Sequence, residues 1–223
     1  MNMFCLKRPE LLSVEDENGS VTAGGDQMWF PKTGFIPPGA CGATVASALL
    51  AYCLRSRPDA FDLSKKAGIK GLADPLCGTV NKKSGYIEFM KIVYPFFRPR
   101  IGGLMSDAFV RGMADFGSEF GLPFSAERLL VPVARPKRPP MEEIGSFISE
   151  TLADDMPAAF LILSAGRANG LENWHWVTIL EYDAENARAK IADNCIEFWT
   201  NIKEWHGSTI MGGSFVRVLL SGV

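Results

Sequence analysis

The clearest apolar pattern runs from residue 41 to about 55, CGATVASALLAYCLR. Ala43, Val45, Ala46, Ala48, Leu49, Leu50, Ala51 and Leu54 make it apolar on nearly every face, which is the pattern of a buried helix. Pro37, Pro38 and Gly39 belong before a helix rather than inside it, so the helix is predicted to open at or just before Cys41. Arg55 and Arg57 suit its C-terminal end, and Pro58 stops it. Two more helices follow from apolar spacing. Residues 106–120 place Phe109, Met113, Phe116 and Phe120 on one stripe, with Ser106 as the expected N-cap. Residues 141–155 place Ile144, Phe147, Ile148 and Leu152 on one face.

The second half reads differently. Short apolar runs bounded by polar turns predict strands over 128–133, 157–164, 174–182, 187–193 and 214–220, with a short strand and a helical turn over 198–206. A stiff basic connector, Arg135 to Pro140, joins the halves. Helices first and strands afterwards predict an α+β fold in which the central buried helix, carrying Cys41, packs on an antiparallel sheet. The 223 residues fit one domain over 1–223, with an irregular segment over 1–24.

Composition narrows the class. With 47% apolar and 22% charged residues the chain is an ordinary globular one. A net charge of −2 gives no electrostatic case for nucleic acid. No apolar run reaches the roughly 18 to 20 residues that a membrane helix needs. The N-terminus has no signal-peptide core, and Cys5, Cys41, Cys53, Cys77 and Cys195 are scattered and odd in number. Together these favour a reducing, cytoplasmic setting without a disulfide framework. Lys65, Lys66, Lys70, Lys82 and Lys83 read as a solvated surface, and the stretch from Gly78 to Ser84 lacks the second glycine of a phosphate loop. No C-x-x-C, H-x-x-x-H or carboxylate cluster has metal-ligand spacing, so neither metal nor cofactor is expected.

The chemistry of the chain concentrates at Cys41. Orphan N–H groups and the positive end of the helix dipole favour a thiolate there. Cys53 lies on the same helix about 18 Å away by helical rise, too far to share a site. A nucleophilic cysteine needs a base of near-neutral pKa. Only two histidines are available: His175 in the strand WHWVTIL, and His206 in a polar turn. The strand fixes the direction of His175 and nothing comparable fixes His206. Asp193 and Asn194 end the next strand, and either type can orient an imidazole. Strand alternation selects Asp193. It shares a face with Ala187, Ala189 and Ile191, whereas Asn194 shares one with Arg188 and Lys190. The apolar face is expected to lie on the Cys41 helix, and a turn centred near Ala184 would set His175 directly opposite Asp193, its carboxylate meeting Nδ1.

These pieces, CGATVASALLAY, HWVTILEYD and KIADN in that order, resemble the papain-like cysteine peptidase clan, most closely its bacterial branch related to bacteriocin-processing (double-glycine) peptidases. The resemblance covers roughly residues 25 to 200, and only the three short motifs are specific to it. It implies Cys41 as nucleophile, His175 as base and Asp193 as orienter, acting on a peptide or protein substrate through an acyl-enzyme. The family usually has a Gln about six residues before the Cys to stabilise the oxyanion. Here Phe35 stands there, and Gln27, the only glutamine, is the candidate donor, an exposed loop amide being the alternative. The family also often has Pro where this chain has Asn194. The reading is therefore a cysteine peptidase or amidohydrolase, with two alternatives: a same-fold acyltransferase or non-proteolytic amidase, and a catalytically idle peptide-binding domain.

Overall fold

Helix α1, Cys41–Ser56, buries every residue except Arg55. In the computed structural model, residues 2–30, 40–57, 80–98 and 103–220 are described. Phe35, the Pro37 to Gly39 approach, Cys77, Lys65, Lys66, Lys70 and the start of the Gly78 to Ser84 stretch fall outside them. The other helices are α2 (Lys83–Val93), α3 (Ser106–Phe120), α4 (Met141–Ala153) and α5 (Ile202–Ser208). Their buried positions keep helical spacing: Tyr86, Phe89, Met90 and Val93 on α2, and Phe109, Met113 and Phe116 on α3. Ser106 is the first residue of α3 rather than its cap. Met105 holds the cap position, and the Ser106 hydroxyl instead accepts from Arg128 at 3.1 Å.

Among the described residues a seven-stranded sheet runs β5 (Phe124–Val131), β10 (Gly213–Leu220), β6 (Ala158–Ile162), β7 (His175–Asp183), β8 (Arg188–Asp193) and β9 (Ile196–Asn201), every pairing antiparallel. The α+β arrangement predicted from the sequence, with its cysteine helix on an antiparallel sheet, is the one observed. The N-terminal segment differs from the expected irregular chain. β1 (Met3–Cys5) pairs with the far half of β7, while β2 (Ser13–Glu15), β3 (Val21–Ala23) and β4 (Asn81–Lys82) form a small second sheet. Strands of two or three residues carry too little period to be seen in a sequence.

Both faces of the large sheet are covered. On one, Ala159, Leu161, Val216 and Trp176 join α1 and α3 in a core cluster. On the other, Phe160, Phe215, Val177, Ile179, Ala189 and Ile191 join Ile144, Ile148 and Leu152 of α4. The expectation that the Ala189 and Ile191 face lies on the Cys41 helix is therefore corrected. That face meets α4, because a sheet covered on both sides is apolar on both. Among the described residues no helix is long and apolar enough to cross a membrane.

Contacts at both ends hold α1 in place. Near its C-terminal end the buried Tyr52 hydroxyl donates to Asp155 Oδ1 at 2.5 Å, and Arg55 Nη1 donates to the Leu11 carbonyl at 2.7 Å. At its N-terminal end Gly42 faces Leu104 and Trp176. A Cβ at Gly42 would stand 2.6 Å from a Leu104 methyl carbon and 3.2 Å from the Trp176 ring. The Trp176 indole N–H donates to the Leu104 carbonyl at 2.7 Å, and its ring stacks on Phe109 at 4.5 Å between centroids. Trp176 follows His175 and Gly42 follows Cys41, so this packing sets the chemical neighbours side by side.

A Gly42→Ala protein is expected to lose about 1–3 kcal/mol of stability by overpacking this contact, read by urea denaturation. Its Cys41 should also lose its selective reactivity toward iodoacetamide. Wild-type stability and unchanged Cys41 reactivity together would show that the contact does not position the cysteine.

Candidate active site

Cys41 opens α1 after Ala40, whose carbonyl accepts both the Thr44 amide N–H at 2.9 Å and the Thr44 hydroxyl at 3.1 Å. Among the described residues no side chain caps this end of the helix. The first amides of a helix have no partner within it and favour negative charge beside them. The Cys41 side belongs to a narrow cavity of about 20 Å³, room for roughly one water molecule. Gly24, Gly25, Thr44, Trp176, Ala192 and Asn194 are among its walls.

His175 opens β7, paired with Ile162 of β6. Its Nε2 lies 2.7 Å from Asp193 Oδ1, and both side chains are largely buried. Cys41 is near enough for its thiol to act on the charge of the ring. With Nε2 engaged by the carboxylate, Nδ1 is the nitrogen left for sulfur. The sequence reading had Asp193 on Nδ1, so the two ring atoms are exchanged. Burial alone would lower the His175 pKa. The hydrogen bonds to Asp193 and to Cys41, together with their negative charge, overcome it and push the pKa up to about 10. A pKa raised on folding contributes stability that is fully present below about 6.5, and it is lost as the pH rises toward 10.

The route by which Asp193 reaches His175 also differs from the expectation. The β7–β8 ladder pairs Asp183 with Arg188 and Thr178 with Ala192, with an irregularity between Ile179 and Glu181. The loop is centred beyond Ala184, and one extra residue sits in β7. Asp193 is thus a diagonal neighbour of His175 rather than the residue directly across. A diagonal separation is still within reach of an aspartate and an imidazole at the strand ends.

Asn194 has a separate task. Asn194 and Cys195, at φ 43° and 71°, form the two-residue turn between Asp193 and its partner Ile196. Two positive φ values in a two-residue hairpin loop are the signature of a primed turn, which Asn accepts readily. The Asn194 carbonyl Oδ1 accepts the Gln27 amide N–H at 3.3 Å. This bond ties the 24–27 loop, including the cavity walls Gly24 and Gly25, to the end of β8. Gln27 is brought to the rim of the site by its backbone. Among the described residues its side-chain amide has no hydrogen-bond partner.

The remaining candidates separate clearly. His206 sits in the last turn of α5, its pKa lowered by burial and by nearby Arg138. Its carbonyl accepts from Arg138 at 3.0 Å. Burial pushes the Cys53 thiol up to about 12 and also raises Cys195. Cys5 is exposed. Among the described residues no group of three His, Cys, Asp or Glu side chains is arranged to hold a metal. Three contributors escaped the sequence reading: Leu104, the Asn194 side chain as a loop tie, and Trp174, whose φ is 57°. The adjacent pairs Cys41-Gly42 and His175-Trp176 were the available signal for the first. A glycine beside a nucleophile and a tryptophan beside a base can mark a close helix-to-strand approach.

No protein-family model matches the chain, and no curated protein matches it. Among solved structures, the N-terminal peptidase C39-like domain of a toxin secretion ATP-binding protein from Vibrio parahaemolyticus is similar at 10% identity, over 59% of this chain and 82% of that one, with a TM-score of 0.31. A likeness of that size carries no argument about chemistry.

The geometry ranks two substitutions. Asp193→Ala should cut Cys41 reactivity at pH 6 by on the order of a hundredfold by releasing the His175 charge. Asn194→Ala should change it by only a few fold, since it loosens a loop rather than the imidazole. Alkylation rates of the two purified variants decide it, and the reverse ranking would assign the orienting role to Asn194.

Proposed function

We propose that this protein is a thiol hydrolase that cleaves a peptide or amide bond through Cys41, His175 and Asp193. The observation that carries the reading is a single juxtaposition. A cysteine at the start of a buried helix acts on a histidine that is itself held 2.7 Å from a largely buried carboxylate.

The steps follow from these groups. With the His175 pKa near 10, the imidazole carries its proton at neutral pH. A positive charge beside the thiol favours the thiolate, and the helix end adds to it. The Cys41 sulfur attacks the substrate carbonyl carbon. The resulting oxyanion is stabilised by the Cys41 backbone N–H at the helix start, with the Gln27 amide as a second donor if its side chain turns inward. His175 gives its proton to the leaving nitrogen, the C–N bond breaks, and a thioester to Cys41 remains. Water then enters. His175 takes one proton from it, hydroxide adds to the thioester, and the acid product leaves as sulfur regains its charge. Asp193 keeps the ring turned toward sulfur and stabilises its charged form through both steps.

The test is native labelling with iodoacetamide at pH 6, read by peptide mass spectrometry. An ordinary thiol, with a pKa of about 8.5, is almost wholly protonated there. Cys41 should label at least about tenfold faster than Cys5, Cys53, Cys77 and Cys195. A His175→Ala protein should lose that advantage. Equal labelling of all five cysteines would remove the nucleophile and the proposal with it.

A further inference from the structure

Trp174 immediately precedes His175 and belongs to neither core cluster. Its side chain is 53% exposed, and it is the only aromatic among the exposed large apolar residues described. Its backbone lies in the left-handed region, at φ 57°. Bulky residues rarely enter that region, whereas Gly and Asn enter it easily.

The flanks hold it there. Before it, the loop from Ser164 is pinned at several points. The Ala165 amide donates to Asn173 Oδ1 at 2.8 Å, the Arg167 amide to Ser208 Oγ at 2.8 Å, and the Thr200 hydroxyl to the Asn169 carbonyl at 3.0 Å. After it, His175 pairs with Ile162 in the sheet and Trp176 is bonded beneath Leu104. Trp174 is therefore presented to solvent by a fixed backbone. A large indole kept exposed in a disfavoured conformation contributes neither to packing nor to solubility. Such outliers cluster where a ligand is gripped, and Trp offers much contact area at little cost in conformational freedom.

The chemistry identifies the part of the ligand. His175 delivers its proton to the leaving nitrogen, so the substrate residue bearing that nitrogen lies on the His175 side of the Cys41 sulfur. Trp174 is the chain neighbour of that imidazole. We propose that Trp174 contacts the substrate, its indole forming an apolar wall for the side chain of the residue that carries the leaving nitrogen. It thereby selects an aromatic or large aliphatic side chain at that position. The inference rests on the thiol-hydrolase reading.

Two alkylating reagents test it without a known substrate: chloroacetyl-phenylalanine amide and chloroacetyl-glycine amide. In each, the Cys41 thiolate forms a C–S bond to the methylene carbon and chloride leaves, so the amino-acid amide extends toward the leaving-group side. Each rate is divided by the iodoacetamide rate at Cys41 of the same protein. In the wild type the phenylalanine reagent should be favoured by roughly tenfold. In Trp174→Ala the ratio should fall to about one, and in Trp174→Phe it should be largely kept. Trp174→Asn, which suits the left-handed backbone, gives the same loss in a protein at least as stable as the wild type in urea. Equal rates in the wild type, or a ratio that survives in both Trp174→Ala and Trp174→Asn, would overturn the proposal. If iodoacetamide does not single out Cys41 at pH 6, the hydrolase reading falls and this inference with it. Fast, selective iodoacetamide labelling with an unaltered ratio overturns the Trp174 contact alone.

Discussion

The docking of Trp176 against the first turn of α1 is the constraint on which the site depends. Gly42 leaves no side chain between helix and strand, and the Trp176 ring fills the space, stacked on Phe109 and bonded to the Leu104 carbonyl. Helix, strand and the segment before α3 thus meet at one buried point. Cys41 and His175 are the chain neighbours of the two residues in contact, so their separation is set by core packing rather than by surface loops. Close-packed interiors yield little to small changes in volume, and a reactive pair built one residue away from such a contact inherits that rigidity. The far end of the same helix is fixed independently by Tyr52 on Asp155 and Arg55 on Leu11.

The second element is a contest between burial and charge. His175 is buried enough for desolvation to be the largest single influence on it, and that influence acts against the imidazolium. Asp193, bonded to Nε2, together with nearby Cys41, reverses the outcome. A buried charge without partners is costly, and this one is compensated on both sides. The β8–β9 turn serves the same end twice. It delivers Asp193 to the imidazole, and through Asn194 it fastens the loop of Gly24 and Gly25 beside the sulfur.

Much of this was legible in the sequence, and the failures are informative. The helix from Cys41 stood out because its apolar residues surround the axis, and the strands around His175 and Asp193 because their patterns are long. His175 and Asp193 meet, but through another face of the sheet, another ring nitrogen and another register than strand alternation predicts. Ala189 and Ile191 belong to the cluster of α4, while Ala192 on the opposite face lies beside Cys41, and an apolar face does not say which of two apolar layers covers it. The irregularity near Leu180 and the placement of the turn depend on tertiary fit, which alternation cannot encode. The short strands at the N-terminus were illegible because two or three residues carry too little alternation to be recognised. Trp174 was invisible because a residue name carries no φ.

The most direct test of the account is an NMR titration of the two imidazoles, His175 and His206, in the folded protein. The account predicts that His175 stays protonated through neutral pH, with a midpoint near 10, while His206 titrates below the ordinary value of 6.5. In Asp193→Asn the His175 midpoint should move down, because the carboxylate that favours the charged ring is gone. A wild-type His175 midpoint at or below 6.5, unmoved by Asp193→Asn, would contradict the coupling of Cys41, His175 and Asp193.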